Sequence, residues 1–220
     1  MSSPKLYLAP GCALKIYKPK LADKVHSFLR QELGALDEHL ICCRHEPQLD
    51  GPSKIINVCP GCDKRYSELY EGVSTISLWE VFADNDKFPF PDYKGAKMSI
   101  NDACPARDKP EIYGAIRRLL ERMNIEVVEP KRTKEKGVCC GDTFFDKIPV
   151  DKVKAQMKKR AAEMPCDDVV TYCVSCSKSM HIGGKSPRYI VDLLFSEETQ
   201  PKTFEPEEWH KELDDFIEKH

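Results

Sequence analysis

Ten of the eleven cysteines in this 220-residue chain fall into two sets of five that share one pattern. Each set consists of a single cysteine, then two adjacent cysteines, then a Cys-x-x-Cys motif. The first set is Cys12, Cys42, Cys43, Cys59 and Cys62, and the second is Cys104, Cys139, Cys140, Cys173 and Cys176. Only Cys166 stands outside the pattern, and we expect it to be a buried, inert thiol. The ten patterned cysteines are therefore the candidate ligands or redox groups.

Five thiols per set is one more than common cysteine sites require. Four cysteines satisfy an ordinary cubane iron–sulfur cluster or a structural zinc ion. Adjacent side chains diverge along an extended backbone, so a Cys-Cys pair binds one metal only with an unusual local backbone, or binds two irons of a larger cluster. Gly141 suits that geometry because glycine accepts a positive φ. The pattern favours iron–sulfur ligation, with zinc binding and thiol redox chemistry as alternatives.

The composition narrows the possible partners and compartment. The chain has 34 basic and 36 acidic residues, so its net charge of -2 gives no sign of nucleic-acid binding. No apolar run approaches the roughly 18 residues of a membrane span, and the N-terminus lacks the features of a secretory signal. We therefore predict a cytoplasmic protein whose reduced cysteines serve as ligands. No GxGxxG motif marks a flavin or nicotinamide site, and no ferredoxin-type cysteine run is present.

The elements that must position these cysteines alternate between strands and helices. Strands are predicted at 6–9, 54–58, 74–78, 97–101, 125–128 and 169–172, and helices at 21–33, 63–70, 78–82, 111–123, 150–164, 177–180 and 189–195. A cysteine follows several of the strands, and ligands in parallel sheets bind beyond the carboxyl ends of the strands. The predicted fold class is α/β, with two mostly parallel, Rossmann-like sheets.

The repeat of the pattern predicts two cysteine-rich halves packed together. We place the first half at residues 1–93, the second at 94–196 and an acidic tail at 197–220. The linker is Phe88-Pro89-Phe90-Pro91, since proline disfavours helix in the preceding residue. The spacing between corresponding cysteines drifts along the chain, which indicates a duplication with loop insertions. The tail should form a docked helix, because four of its apolar residues share one helical face: Trp209, Leu213, Phe216 and Ile217.

The second set, with Cys139-Cys140-Gly141 and the apolar ending 189–194, resembles the CCG-type cysteine-rich domain. This domain occurs twice in the B subunit of heterodisulfide reductase and in iron–sulfur subunits of glycolate and lactate oxidation systems. The resemblance extends from Leu6 to Phe195 and includes both sets. The first set departs from the family pattern, with Arg44 where the glycine would stand and only 15 residues between Cys43 and Cys59. The shortened gap implies a missing helix and a first cluster that is exposed or differently shaped.

The resemblance implies that each set of five cysteines holds one noncubane [4Fe-4S]-type cluster, so the chain would carry one or two. It implies an oxidoreductase subunit that reduces a small disulfide, or oxidises two thiols, at the cluster irons. Electrons would come from an iron–sulfur or flavoprotein partner subunit. Two alternatives remain at this point. The clusters could only relay electrons for a flavin-dependent hydroxy-acid dehydrogenase, or the cysteines could hold zinc in an interaction module.

Overall fold

Two four-stranded sheets, each entirely parallel and flanked by helices, account for the regular structure of the chain. The computed structural model describes residues 4–40, 49, 51–201 and 205–220. The predicted α/β class with two parallel, Rossmann-like halves is confirmed. Contacts divide the chain into two units, with one boundary between Val81 and Phe82 and the other between His210 and Lys211. The first unit therefore includes the chain end.

The first unit contains a sheet of order β2-β1-β3-β4. Its strands are β1 (Lys5–Ala9), β2 (Asp37–Glu38), β3 (Ser53–Asn57) and β4 (Val73–Ser77). Its helices are α1 (Gly11–Tyr17), α2 (Pro19–Leu33), α3 (Pro60–Leu69) and α4 (Leu78–Ala83), the last of which crosses the unit boundary. Helix α2 buries Leu21, Val25 and Leu29 at four-residue spacing, the apolar stripe of a helix that packs on a sheet.

The second unit repeats this plan with a sheet of order β6-β5-β7-β8. Its strands are β5 (Ala96–Asn101), β6 (Ile125–Val128), β7 (Asp168–Thr171) and β8 (Ser186–Tyr189). Its helices are α5 (Pro110–Arg122), α6 (Val150–Ala161), α7 (Val174–Ile182) and α8 (Ile190–Leu194). Helix α9 (Pro206–Lys219) begins in this unit and ends in the first. In both sheets the first strand in sequence is central, so its carboxyl end lies beside that of the neighbouring central strand.

The proline-rich segment predicted as a linker lies inside the second unit. The Phe88 ring packs edge-on against Phe82, with 4.8 Å between ring centroids, and against Phe195 at 5.5 Å. The prolines keep this segment out of helix and strand, yet its aromatic rings belong to a core. An absence of regular structure therefore did not mark a boundary here.

Three short elements were not predicted: β2, β8 and α1. Strand β8 carries Pro187 and ends at Tyr189, where a helix was predicted to begin. Its pairing with β7 decides its conformation, since a four-residue edge strand has no periodicity to show in the sequence. No helix in the described ranges is long and apolar enough to cross a membrane.

Candidate functional site

The carboxyl ends of β5 and β7 carry three cysteines of the second set. Cys104 begins a 3-10 turn just after β5, and Cys173 caps α7 at the end of β7. Cys176 lies in the first turn of α7 and is buried. Because β5 and β7 are parallel neighbours, these segments meet at the same edge of the sheet.

The adjacent pair Cys139 and Cys140 lies in a loop between two 3-10 turns. Gly141 ends this loop with a φ of +114°. A Cβ at this position would stand 2.8 Å from Cγ of Met157 and 3.0 Å from its backbone nitrogen. Glycine is therefore required here for two reasons: the backbone is left-handed, and the loop approaches α6 closely.

The thiols of the second set form one continuous chain of hydrogen bonds. Cys104 bonds Cys139, Cys139 bonds Cys140, Cys140 bonds Cys176, and Cys176 bonds Cys173. None of these cysteines forms a disulfide. Side chains that are far apart in sequence are thus side by side, and the structure brings the whole predicted second set together.

The thiols of the second set differ in pKa. Hydrogen bonds from Cys104 and then Cys140 lower the pKa of Cys139 well below the ordinary value of a thiol. The amide of Gly141 also donates to Cys139 Sγ at 3.3 Å, and the Thr143 hydroxyl lies 2.9 Å from that sulfur. The same bonds raise the pKa of Cys104 and Cys140. The lowered pKa favours the thiolate form of Cys139, and the thiolate is the form of cysteine that binds metals.

Asp102 links the segments that carry these cysteines. Its side chain is only 3% exposed and accepts from both terminal nitrogens of Arg117 at 2.8 and 2.9 Å. It also accepts from Thr133, from the amide of Lys134 at 2.7 Å and from the Tyr172 hydroxyl at 3.1 Å. Burial raises the pKa of Asp102, but the bonds and charge of Arg117 outweigh burial, so the pKa lies below its usual value. The carboxylate therefore ties β5, the loop before the cysteine pair and the end of β7 together.

Arg160 on α6 is a buried cation beside the same site, with 2% of its surface exposed. Its Nε donates to Asn101 Oδ1 at 2.9 Å, and its terminal nitrogens donate to Glu163 at 2.7 Å and to the carbonyl of Arg132 at 3.0 Å. Arg160 also lines a cavity of about 140 Å³ together with Cys139.

Sequence reasoning missed both charged residues. A possible signal for Asp102 was a carboxylate placed directly after a buried apolar strand and two residues before Cys104. Arg160 gave no comparable signal, because it stands in the basic run Lys158-Lys159-Arg160, and such a run is typical of a solvated face. Lys158 and Lys159 are exposed as expected, and only Arg160 turns inward.

The first turns of α9 lie against the second set. Trp209 is buried and its Nε1 donates to Ser175 Oγ at 2.9 Å, between the two cysteines of the Cys-x-x-Cys motif. The ammonium group of Lys178 lies 4.5 Å from the centroid of the Trp209 ring. His210 lies 3.3 Å from the carboxylate of Asp142, the residue after Gly141. The predicted tail helix is present, and this part of it contacts two of the segments that carry cysteines of the second set.

The first unit brings together three cysteines of the first set. Cys59 caps α3 and is hydrogen-bonded to Cys62, which lowers the pKa of Cys59 to about 6. A Cβ on Gly11 (φ +76°) would stand 3.4 Å from Cys59 Cβ and 3.6 Å from Cys62 Sγ. The turn that carries Cys12 therefore touches the Cys-x-x-Cys motif. Both Cys62 and Cys12 also act electrostatically on the buried Tyr66, whose pKa is raised first by burial and then by their charges.

The remaining predicted residues of the first set, Cys42 and Cys43, lie outside the described residues, as does Arg44. Cys166 was expected to be a buried, inert thiol. It is instead half-buried, and its backbone amide donates to Ser99 Oγ at 2.7 Å. It takes no part in the thiol chain, so it provides a matched control for substitutions of the patterned cysteines.

In the part of the chain that the structure describes, no group of three or more His, Cys, Asp or Glu side chains is arranged to hold a single metal ion. The five thiols are joined in a row, which suits a polynuclear cluster whose irons take different ligands. Asn101 adds an orphaned buried donor, since its Nδ2 has no partner among the described residues. Inorganic sulfide or thiolate is the kind of acceptor this donor lacks. The donor set therefore fits an iron–sulfur cluster.

A comparison of the chain with models of known protein families found no match. A search of curated proteins found no similar protein either.

Proposed function

We propose that this protein is an iron–sulfur oxidoreductase subunit that reduces a disulfide, or oxidises two thiols, in the manner of the CCG-domain family that its cysteine pattern resembles. The observation that carries the proposal is the hydrogen-bonded row of five thiols in the second unit. Three separate stretches of chain contribute to it, and two central strands of one parallel sheet position three of its members. A cluster of buried thiols is unfavourable unless each has a partner, because buried polar groups need hydrogen-bond partners. Such a cluster is therefore unexpected without a function.

In this proposal Cys104, Cys139, Cys140, Cys173 and Cys176 hold a noncubane [4Fe-4S]-type cluster. When bound, the cluster would supply single-electron steps and an iron that accepts sulfur. The chain itself supplies donors to the ligand sulfurs. One is the amide of Gly141, at 3.3 Å from Cys139, and another is the hydroxyl of Ser179, at 3.3 Å from Cys140. These donors stabilise negative charge on sulfur and hold the side chains in place.

The proposed reaction is the reduction of one disulfide to two thiols, which breaks the sulfur–sulfur bond and consumes two electrons and two protons. The chain contains no flavin or nicotinamide fingerprint, so we assign the electrons to an iron–sulfur or flavoprotein partner subunit. The reverse reaction delivers two electrons to the same partner. We place the protein in the cytoplasm, where thiolate ligands stay reduced.

We further propose that the first set holds a second cluster. Cys59 and Cys62 already adjoin each other, the turn that carries Cys12 touches them, and the lowered pKa of Cys59 favours the thiolate form that metals bind. Cys42 and Cys43 would complete this set.

The test is a count of iron, acid-labile sulfide and zinc after anaerobic purification, for the wild type and three variants. We expect iron and sulfide in equal amounts, with substantial losses of both in Cys139→Ala and Cys176→Ala. Cys166→Ala is the matched control and should keep the wild-type content. Stoichiometric zinc without sulfide would instead identify a zinc module and end the proposal.

A second measurement separates disulfide chemistry from simple electron relay. Thiolate added to the oxidised protein should change the EPR spectrum, because an iron that accepts sulfur responds to this ligand. An unchanged spectrum, combined with rapid reduction by a flavin dehydrogenase, would show that the clusters only pass electrons.

A further inference from the structure

Arg160 is a buried cation of the second unit, and most of its hydrogen bonds go to neutral groups. Arg160 bonds two neutral acceptors, the side chain of Asn101 and the carbonyl of Arg132. Among the described residues, its only anionic hydrogen-bond acceptor is Glu163, which Arg132 also engages through an ion pair. Two guanidinium groups thus share one carboxylate. Because burying an unbalanced charge is costly, a cation in this position requires an anion close by.

Two thiols of the second set are among the groups that act on this cation. Burial and the charge of Arg132 lower the pKa of Arg160, whereas negative charge on Cys176, Asp102 and Cys140 raises it. The guanidinium therefore lies close enough to both sulfurs for charges on either to act on it. Arg160 and Cys139 also line the same small cavity. Cys139 is therefore a third thiol of the second set that lies beside Arg160.

Asn101 gives a second, independent indication that an electron-rich group belongs beside Arg160. It is fully buried at the end of β5, and the bond from Arg160 Nε fixes its amide so that Oδ1 is the occupied acceptor. Its Nδ2 then remains an unpaired buried donor. Buried donors without acceptors are rare, and each leaves a desolvation cost unless a non-protein acceptor is present. Arg160 therefore presents a positive charge and Asn101 presents an N–H donor, and both would interact favourably with an electron-rich group.

We propose that Arg160, held by Asn101, is a positioning residue that stabilises the reduced, more negative state of the iron–sulfur site in the second unit. This inference rests on the proposed function. Reduction adds one electron from a reductant and moves no atom, so a fixed positive charge nearby favours the product of that step. A buried charge acts strongly, because the surrounding protein screens it less than water does.

The experiment is an EPR-monitored titration with dithionite, with iron and sulfide measured on every sample. In Arg160→Met, the ratio of reduced to oxidised cluster at the wild-type midpoint should fall at least tenfold, which equals 59 mV for a one-electron step. Arg160→Lys restores the charge and should recover most of this loss. Arg118→Met removes an exposed arginine of the same unit, which pairs with Asp84, and should leave the ratio unchanged.

Asn101→Asp tests the same idea with Arg160 intact. The new carboxylate would pair with the guanidinium and remove the amide donor, so the midpoint should again fall. If Arg160→Met loads poorly although its melting temperature is unchanged, recovery of iron in Arg160→Lys supports the role of the charge, and no recovery overturns it.

The possible failures are distinct. Arg160→Met and Asn101→Asp with full iron and sulfide and the wild-type midpoint would overturn the role of Arg160 and leave the proposed function standing. A wild-type protein that contains neither iron nor sulfide would overturn both.

Discussion

Replacing Asp102 with asparagine should destabilise the second unit more than any other change of a single charge in its described residues. The substitution keeps the shape of the side chain but removes the negative charge that Arg117 faces, and an amide nitrogen takes the place of an acceptor. Breaking a buried ion pair costs about 3–5 kcal/mol. Arg117 keeps a second carboxylate, Glu129, whose oxygens lie 2.8 and 2.9 Å from its nitrogens. We therefore expect a loss near the lower limit, about 3 kcal/mol.

The assay is thermal and urea unfolding of Asp102→Asn beside a matched control, Glu129→Gln. At about 2–4 °C per kcal/mol for a chain of this size, the melting temperature should fall by roughly 6–12 °C. The Glu129 side chain is 33% exposed, so its loss should cost about 1 kcal/mol or less. A double-mutant cycle with Arg117→Met should show coupling of at least about 1 kcal/mol with Asp102.

The reasoning is refuted if Asp102→Asn unfolds at the same urea concentration as Glu129→Gln. Native-state alkylation followed by mass spectrometry gives a second reading. When the carboxylate no longer joins β5 to the two other segments, Cys139 and Cys173 should react faster in Asp102→Asn than in the control.

Three further substitutions test the packing around the thiols. Gly141→Ala should lower the free energy of unfolding by more than about 2 kcal/mol, since the methyl group adds overpacking to backbone strain. Gly95→Ala has the same type of backbone (φ +75°) in open space, so it should cost only about 1 kcal/mol, and equal losses would show that contact with α6 is unimportant. Trp209→Phe removes the bond to Ser175 and should cost about 1 kcal/mol in urea unfolding; no change would mean that the bond contributes nothing. Ile217→Ala, which uncovers Cys12 in the first unit, should cost about 2 kcal/mol and speed alkylation of that thiol, and a stable variant with an unreactive thiol would contradict this packing.

Long elements with clear periodicity could be predicted from the sequence. Helix α5 was predicted from apolar residues at helical spacing, and its face with Ile112, Ile116 and Leu119 is buried. The parallel sheets followed from alternating strands and helices, because a parallel pair needs a crossover connection. Short elements escaped prediction: β8 has four residues, one of them proline, and only pairing with β7 makes it a strand.

The identity and order of the patterned cysteines were readable in the chain, because residue type and spacing are local properties. Proximity was not readable, because the placement of Cys104, Cys173 and Cys176 at one edge depends on parallel strands that end there. The charged surroundings were even less accessible to sequence reasoning. Arginine is usually a surface residue, and only the packing of α6 directs Arg160 inward towards Asn101. Residue type thus determined which chemistry is available, whereas burial in the tertiary structure decided which charges act on it.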